Sequence, residues 1–153
     1  MYVVAVFLPL AGSCIAGILA FVGGIAGSQK KKSIDRTAQL VTVGAMLLSA
    51  IASIFAFIDV AVNGNTGNIK LWTWVNSGSL EYAWELRGDT LSMIMLLMVT
   101  WVSSMIHIYS IGYMSHDSSI PRFMCYLSLF TFFMLMLVTS NNLVQLFFGW
   151  EGV

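Results

Sequence analysis

Val3 to Gly27 carries no charged side chain, and three further stretches of similar length follow that are nearly as apolar. Ala38 to Val62 is interrupted only by Asp59, Thr90 to Tyr113 holds His107 as its one ionisable ring besides tyrosines, and Pro121 to Thr139 holds only Arg122. Such runs leave few ways to fold. A helix crosses about 30 Å of hydrocarbon with about 20 apolar residues, and backbone polar groups can be satisfied there only inside helices or a closed barrel. The expected class is therefore all-α, a polytopic transmembrane helix bundle. Charged residues make up 9% of the chain, against roughly a quarter in soluble domains, too little polar surface for a fold in water. A net charge of zero also argues against a nucleic-acid partner, which calls for a basic face.

The first run opens without a basic segment, and its basic cluster comes after it, an order that fits a retained span better than a cleaved signal peptide. Expected helices cover about 3–27, 38–62, 90–113 and 121–139, joined first by a short charged loop, Lys30 to Arg36. A fifth begins at Asn141 and is cut at Val153, mid-helix, where no folded domain is expected to stop. Asp89 is placed to cap the third helix, Ser118 or Ser119 the fourth with Pro121 in its first turn, and Ser140-Asn141-Asn142 the fifth. Gly12, Ala16 and Ala20, then Gly23 and Gly27, have the spacing of close helix contacts in lipid, and Pro9 is a candidate kink.

Between the second and third helices the pattern changes to a period of two. Leu80, Tyr82, Trp84 and Leu86 alternate with Glu81, Ala83, Glu85 and Arg87. With Leu71 to Val75 and a turn at Asn76-Ser77-Gly78-Ser79, this predicts a β-hairpin over about 71–87. Its tryptophans suit a membrane interface. The first loop holds Lys30, Lys31, Lys32 and Arg36, whereas the much longer second one holds Lys70 and Arg87. The positive-inside bias then puts the first loop in the cytoplasm, with the N-terminus and the hairpin outside.

Few residues can carry chemistry. Cys14 and Cys125 form no C-x-x-C pair, so neither a zinc nor a redox site is supported. Asp59 lies at a helix end, Asp89 reads as a cap, and His116 and Asp117 lie in a loop. His107, followed by Tyr109, Ser110 and Tyr113, is either a proton relay or a hydrogen-bonded interface histidine. Glu151 stands apart. Ten residues beyond Asn141 at about 1.5 Å each put it about 15 Å deep, mid-bilayer, where a carboxylate costs on the order of 2.5 to 3.5 kcal/mol or more. Such a group is kept for a function or for an ion pair between helices. No lysine or arginine of this chain reaches that depth, so a cationic partner is expected from sequence downstream.

Three segments carry a resemblance. They are His107-Ile108-Tyr109-Ser110-Ile111-Gly112-Tyr113-Met114, Arg122 to Phe130, and Ser140-Asn141-Asn142-Leu143 through Gly149-Trp150-Glu151-Gly152-Val153. Together they resemble the antiporter-like proton-pumping subunit of NADH–quinone oxidoreductase, respiratory complex I (subunit L in bacteria, chain 5 in mitochondria). The resemblance covers most of the chain after residue 70 and is weaker before it.

What it implies is that residues 1–153 are the N-terminal part of an antiporter-like transmembrane domain, in a bacterial cell-membrane or mitochondrial inner-membrane subunit with other complex I membrane subunits as partners. It implies Glu151 as a proton relay coupled to a downstream lysine, and no cofactor in this chain. No flavin, haem or iron–sulfur ligand pattern occurs in the sequence, in keeping with that implication. The large subunit of multisubunit cation/proton antiporters is the closest rival. A structural scaffold segment is the reading from another class.

Overall fold

A computed structural model describes residues 2–25, 28–77, 80–117 and 119–153. In chain order its elements are α1 (Tyr2–Ile25), α2 (Ser28–Phe57), a π-helical turn (Ile58–Val62), β1 (Gly67–Ser77), β2 (Leu80–Gly88), α3 (Thr90–Tyr113), α4 (Ile120–Val138) and α5 (Leu143–Gly152). Among the described residues four helices are long and apolar enough to cross a membrane, Tyr2–Gly24, Lys32–Val62, Thr90–Tyr113 and Ile120–Val138. With the two-stranded hairpin, this is a polytopic helical membrane protein.

One expected loop is helix. Lys30 to Arg36 lies within α2, and Thr37 donates to the Ser33 carbonyl at 2.9 Å across the supposed connection. The reason is local: Gln, Lys and Arg are good helix formers, and no glycine or proline falls between Ser28 and Gly44. Charge density marked a boundary of the span there, but not of the helix. The other end of α2 loosens into the π-helical turn that carries Asp59, whose carboxylate accepts from Asn65 Nδ2 at 2.8 Å and from the Tyr2 hydroxyl at 3.3 Å.

Capping sets the later helix starts. Asp89 accepts from the Ser92 amide and Asn142 from the Gln145 amide, each at 2.8 Å. Thus α5 starts at Leu143 rather than at Asn141. Ser119 holds the cap position of α4 without a side-chain bond; Ser118 lies outside the described residues, as do Gly27 and the hairpin-turn residues Gly78 and Ser79.

The hairpin runs from Gly67 paired with Gly88 to Ser77 paired with Leu80, with register shifts between Lys70 and Trp72 and between Thr73 and Val75. It begins four residues earlier than the alternation alone indicates. It is also anchored: Arg87 N–H donates to the Thr139 carbonyl at 2.8 Å, and Leu86 bridges to Ser140. The β2 edge thereby seals onto the corner between α4 and α5.

α4 is the central post, packing against α1, α2, α3 and α5. At the hairpin end the interior is mainly hydrocarbon and aromatic, built from Tyr2, Ala5, Val6, Ala56, Val60, Trp84, Leu86, Met93, Leu96, Phe132, Leu135 and Met136, with Ser92, Thr139 and Gln145 buried at its edge. Toward the other end hydroxyls join buried Met46 and Met124, namely Ser13, Ser103, Ser104, Ser110, Ser128 and Thr131, with His107 among them.

Candidate functional site

The short helix α5 is shaped by its glycines. A Cβ at Gly149 would lie 2.8 Å from the Leu137 backbone, and one at Gly152 would collide with the Phe133 ring. Both glycines therefore face α4 and allow the two backbones to approach closely. At 100° per residue, Gln145 falls on the same face, and it is buried. Its Oε1 accepts from the Glu85 amide at 3.1 Å, while Asn142 Nδ2 donates to the Ala83 carbonyl at 2.8 Å. Trp84 is the hub of this corner. It stacks on Trp72 at 5.3 Å, meets Trp74 at 5.1 Å and presents its face or edge to Phe148 at 4.9 Å.

Glu151 follows from that arrangement. Two residues past Gly149, it lies about 200° round the helix, so the packing that seats the glycines on α4 turns the carboxylate away from α4. It is exposed, as are Phe147 (60%) and Trp150 (70%). No hydrogen bond or ion pair holds it among the described residues.

His107 has the opposite surroundings. It is fully buried on α3. Nδ1 lies 2.8 Å from the Ser103 carbonyl, which fits an Nδ1–H donor, and Nε2 lies 3.0 Å from the Ser128 hydroxyl, which can then donate to it. Ser103 Oγ is within 2.6 Å of Thr131 Oγ1, making a second link from α3 to α4. Further along, Thr100 meets Ser53 of α2 at 2.9 Å, and Ser104 donates to the Met46 carbonyl at 3.2 Å. Thr100, Ser104, Ser110 and Thr131 also donate back to the carbonyl four residues earlier. A hydroxyl that donates its one proton back in this way keeps its lone pairs for a neighbour, as Thr131 does toward Ser103, whereas the single proton of Ser104 is shared between two carbonyls.

The two candidates are not brought together. His107 bonds the Ser128 face of α4, while Gly152 packs on Phe133, five residues on. Those positions are about 140° apart round α4 and about 7.5 Å apart along it. Of the other ionisable residues, Asp89 forms an ion pair with Arg87 at 2.9 Å, and Asp117 accepts from the Ser119 amide at 2.7 Å. Among the described residues no three His, Cys, Asp or Glu side chains gather as a metal site. Sequence reasoning overlooked Gln145, a buried amide in an apolar helix. Its spacing of four from Gly149 was the available signal.

Comparison with known proteins adds a family context. A family model described as NADH-Ubiquinone oxidoreductase (complex I), chain 5 N-terminus, matches residues 74–124. The chain is 45% identical over 153 residues to NADH-ubiquinone oxidoreductase chain 5 of Arabidopsis thaliana, covering all of this chain and 21% of the relative. It is 50% identical over 153 residues to chain 5 of Marchantia polymorpha, again covering 21% of that protein. It is 47% identical over 152 residues to NADH-quinone oxidoreductase subunit L of Rickettsia conorii, covering 99% of this chain and 22% of the relative. The chain spans about a fifth of the length of these curated relatives.

Proposed function

We propose that this chain, which is similar over its whole length to chain 5 and subunit L of NADH–quinone oxidoreductase, serves as the first part of a proton-translocating membrane subunit of that complex. Glu151 is its protonatable station. The observation that supports this assignment is the packing of Gly149 and Gly152 on α4, which aims the carboxylate outward from the bundle. A following helix in a longer chain has access to it there, and a lysine on such a helix would lower the cost of holding the charge in the membrane. In this reading electron transfer takes place in other subunits and supplies the driving force. Moving one charge against the membrane potential costs about 2.3 kcal/mol per 100 mV.

His107 is the second, separate station of the reading. Its ring nitrogens join a backbone carbonyl to the Ser128 hydroxyl, so it can pass a proton only by exchanging tautomers along the α3–α4 seam.

In the assembled complex, Glu151→Gln is expected to keep assembly and NADH oxidation while lowering proton pumping, because the amide keeps the shape and cannot exchange a proton. Glu151→Asp is expected to be milder. Pumping at the wild-type ratio of protons to electrons in Glu151→Gln would remove the assignment. The reading takes the basic cluster Lys30 to Arg36 at the start of α2 as cytoplasmic, with the N-terminus outside. In a background lacking Cys14 and Cys125, an impermeant thiol reagent added outside should label a cysteine at position 65 and spare one at 33; the reverse pattern refutes that orientation.

A further inference from the structure

We propose that the groove between α1 and α4, at the end remote from the hairpin, binds one anionic glycerophospholipid, its phosphate on Arg122 and an acyl chain along the groove below. The groove has a volume of about 240 Å³ and is lined by Gly17, Ala20, Phe21, Arg122, Cys125 and Tyr126. Its floor is made of small side chains and its rims are the exposed rings of Phe21 (75%) and Tyr126 (67%). Arg122 stands at its mouth. An open apolar channel with a cation at the level of the helix ends has the shape and polarity of a lipid, headgroup outward and chain inward.

Electrostatics favours an anion at that mouth. Arg122 lies in the first turn of α4, which contains no acidic residue. A cation is disfavoured there, because the helix N-terminus is itself the positive end of the dipole. Arg122 is exposed and forms no hydrogen bond or ion pair among the described residues. A phosphate beside it would satisfy the guanidinium, whereas the Ser119 amide at the start of α4 is already taken by the Asp117 carboxylate. The adjoining polar cavity of about 210 Å³ adds Ser119, a donor, and Asp35, which opposes an anion. The next cavity, of about 420 Å³, shares Asp35 and Asp117 with Lys32 and Arg36. Three cations against two carboxylates leave this end positive, in the manner of basic clefts between membrane helices that hold acidic headgroups. The inference is independent of Glu151 and of which side of the membrane this end faces.

The test uses the 153-residue chain purified in detergent, titrated with phosphatidylglycerol or phosphatidylcholine, with bound lipid counted by native mass spectrometry. The first phosphatidylglycerol is expected to bind about fivefold more tightly, the equivalent of about 1 kcal/mol for one basic contact. Arg122→Gln should bring the two lipids to parity, while Arg122→Lys should retain most of the preference. Ala20→Leu, which fills the groove, should lower the occupancy of both lipids. Equal binding of the two lipids by the wild-type chain would overturn the proposal, as would a preference that survives Arg122→Gln. So would occupancy unchanged by Ala20→Leu.

Discussion

The two halves of the helix bundle are built from different chemistry. Near the hairpin, α1, α2, α3 and α4 meet through Val6, Ala56, Leu96, Leu135 and Met136, capped by Trp84 and Leu86 of β2. Toward the opposite end the same helices meet through Ser13, Ser104, His107, Ser128 and Thr131. The first half is held mainly by shape, with side chains close-packed around a tryptophan whose ring partners come from β1 and α5, and hydrogen bonds with Gln145, Asn142 and Thr139 join it at the hairpin backbone. The second is held by directional bonds between hydroxyls, a ring and backbone carbonyls. Lipid tails are as apolar as leucine, so close fit and interhelical hydrogen bonds hold such bundles together. One protein uses each device in a different place. The difference teaches where function can reside, because hydroxyls and an imidazole can exchange protons and a hydrocarbon core cannot.

The comparison is broken most sharply at Trp84. Its truncation to alanine empties the contact among Trp72, Trp74 and Phe148 and should cost about 3–5 kcal/mol. In detergent the apparent Tm should fall sharply, and tryptophan emission should shift to the red as the hairpin loosens. A variant as stable as wild type would show that the hairpin adds no packing to this half. A smaller effect is expected at His107, because interhelical hydrogen bonds in membranes average about 0.6 kcal/mol and reach about 1.7. His107→Ala should lower stability by roughly that range and His107→Gln by less, since its amide can still bond Ser128. Equal losses in both would mean that ring volume, rather than hydrogen bonding, holds the α3–α4 seam.

The smallest effect lies at the junction of hairpin and helix. Asp89→Ala removes the cap of α3 and should cost about 1 kcal/mol, read as a lowered melting temperature. The hydrogen bond from Ser92 holds the Asp89 carboxyl below the usual carboxylate range, aided by the Arg87 guanidinium and opposed by partial burial. Because the folded-state value is the lower one, its contribution is complete above the unfolded-state value and fades as pH falls through the folded one. The stability gap between wild type and Asp89→Ala should therefore narrow in acid. A gap unchanged down to the acid limit of folding would assign the capping to something other than the ionised carboxylate.

Much of this was legible in the order of residues, for identifiable reasons. The apolar runs required helices because hydrocarbon admits no unsatisfied backbone, and α3 occupies Thr90–Tyr113 because Asp89 caps its start in the chain itself. The period of two required a hairpin. The Gly-Trp-Glu-Gly segment singled out Glu151 because a carboxylate in an apolar helix is costly. The sequence could not say that Lys30 to Arg36 continues a helix, since a run of basic residues fixes where a span leaves the membrane and leaves the backbone free. Nor could it place His107 against Ser128, or Gln145 against Glu85. Those partners lie 21 and 60 residues apart, and a hydrogen bond between them depends on how three helices and a strand are rotated about their axes. That rotation was decided only by packing: by Gly149 against Leu137, Gly152 against Phe133 and Trp84 among its rings. The direction in which Glu151 points was set in the same way, by the glycines that had to face α4.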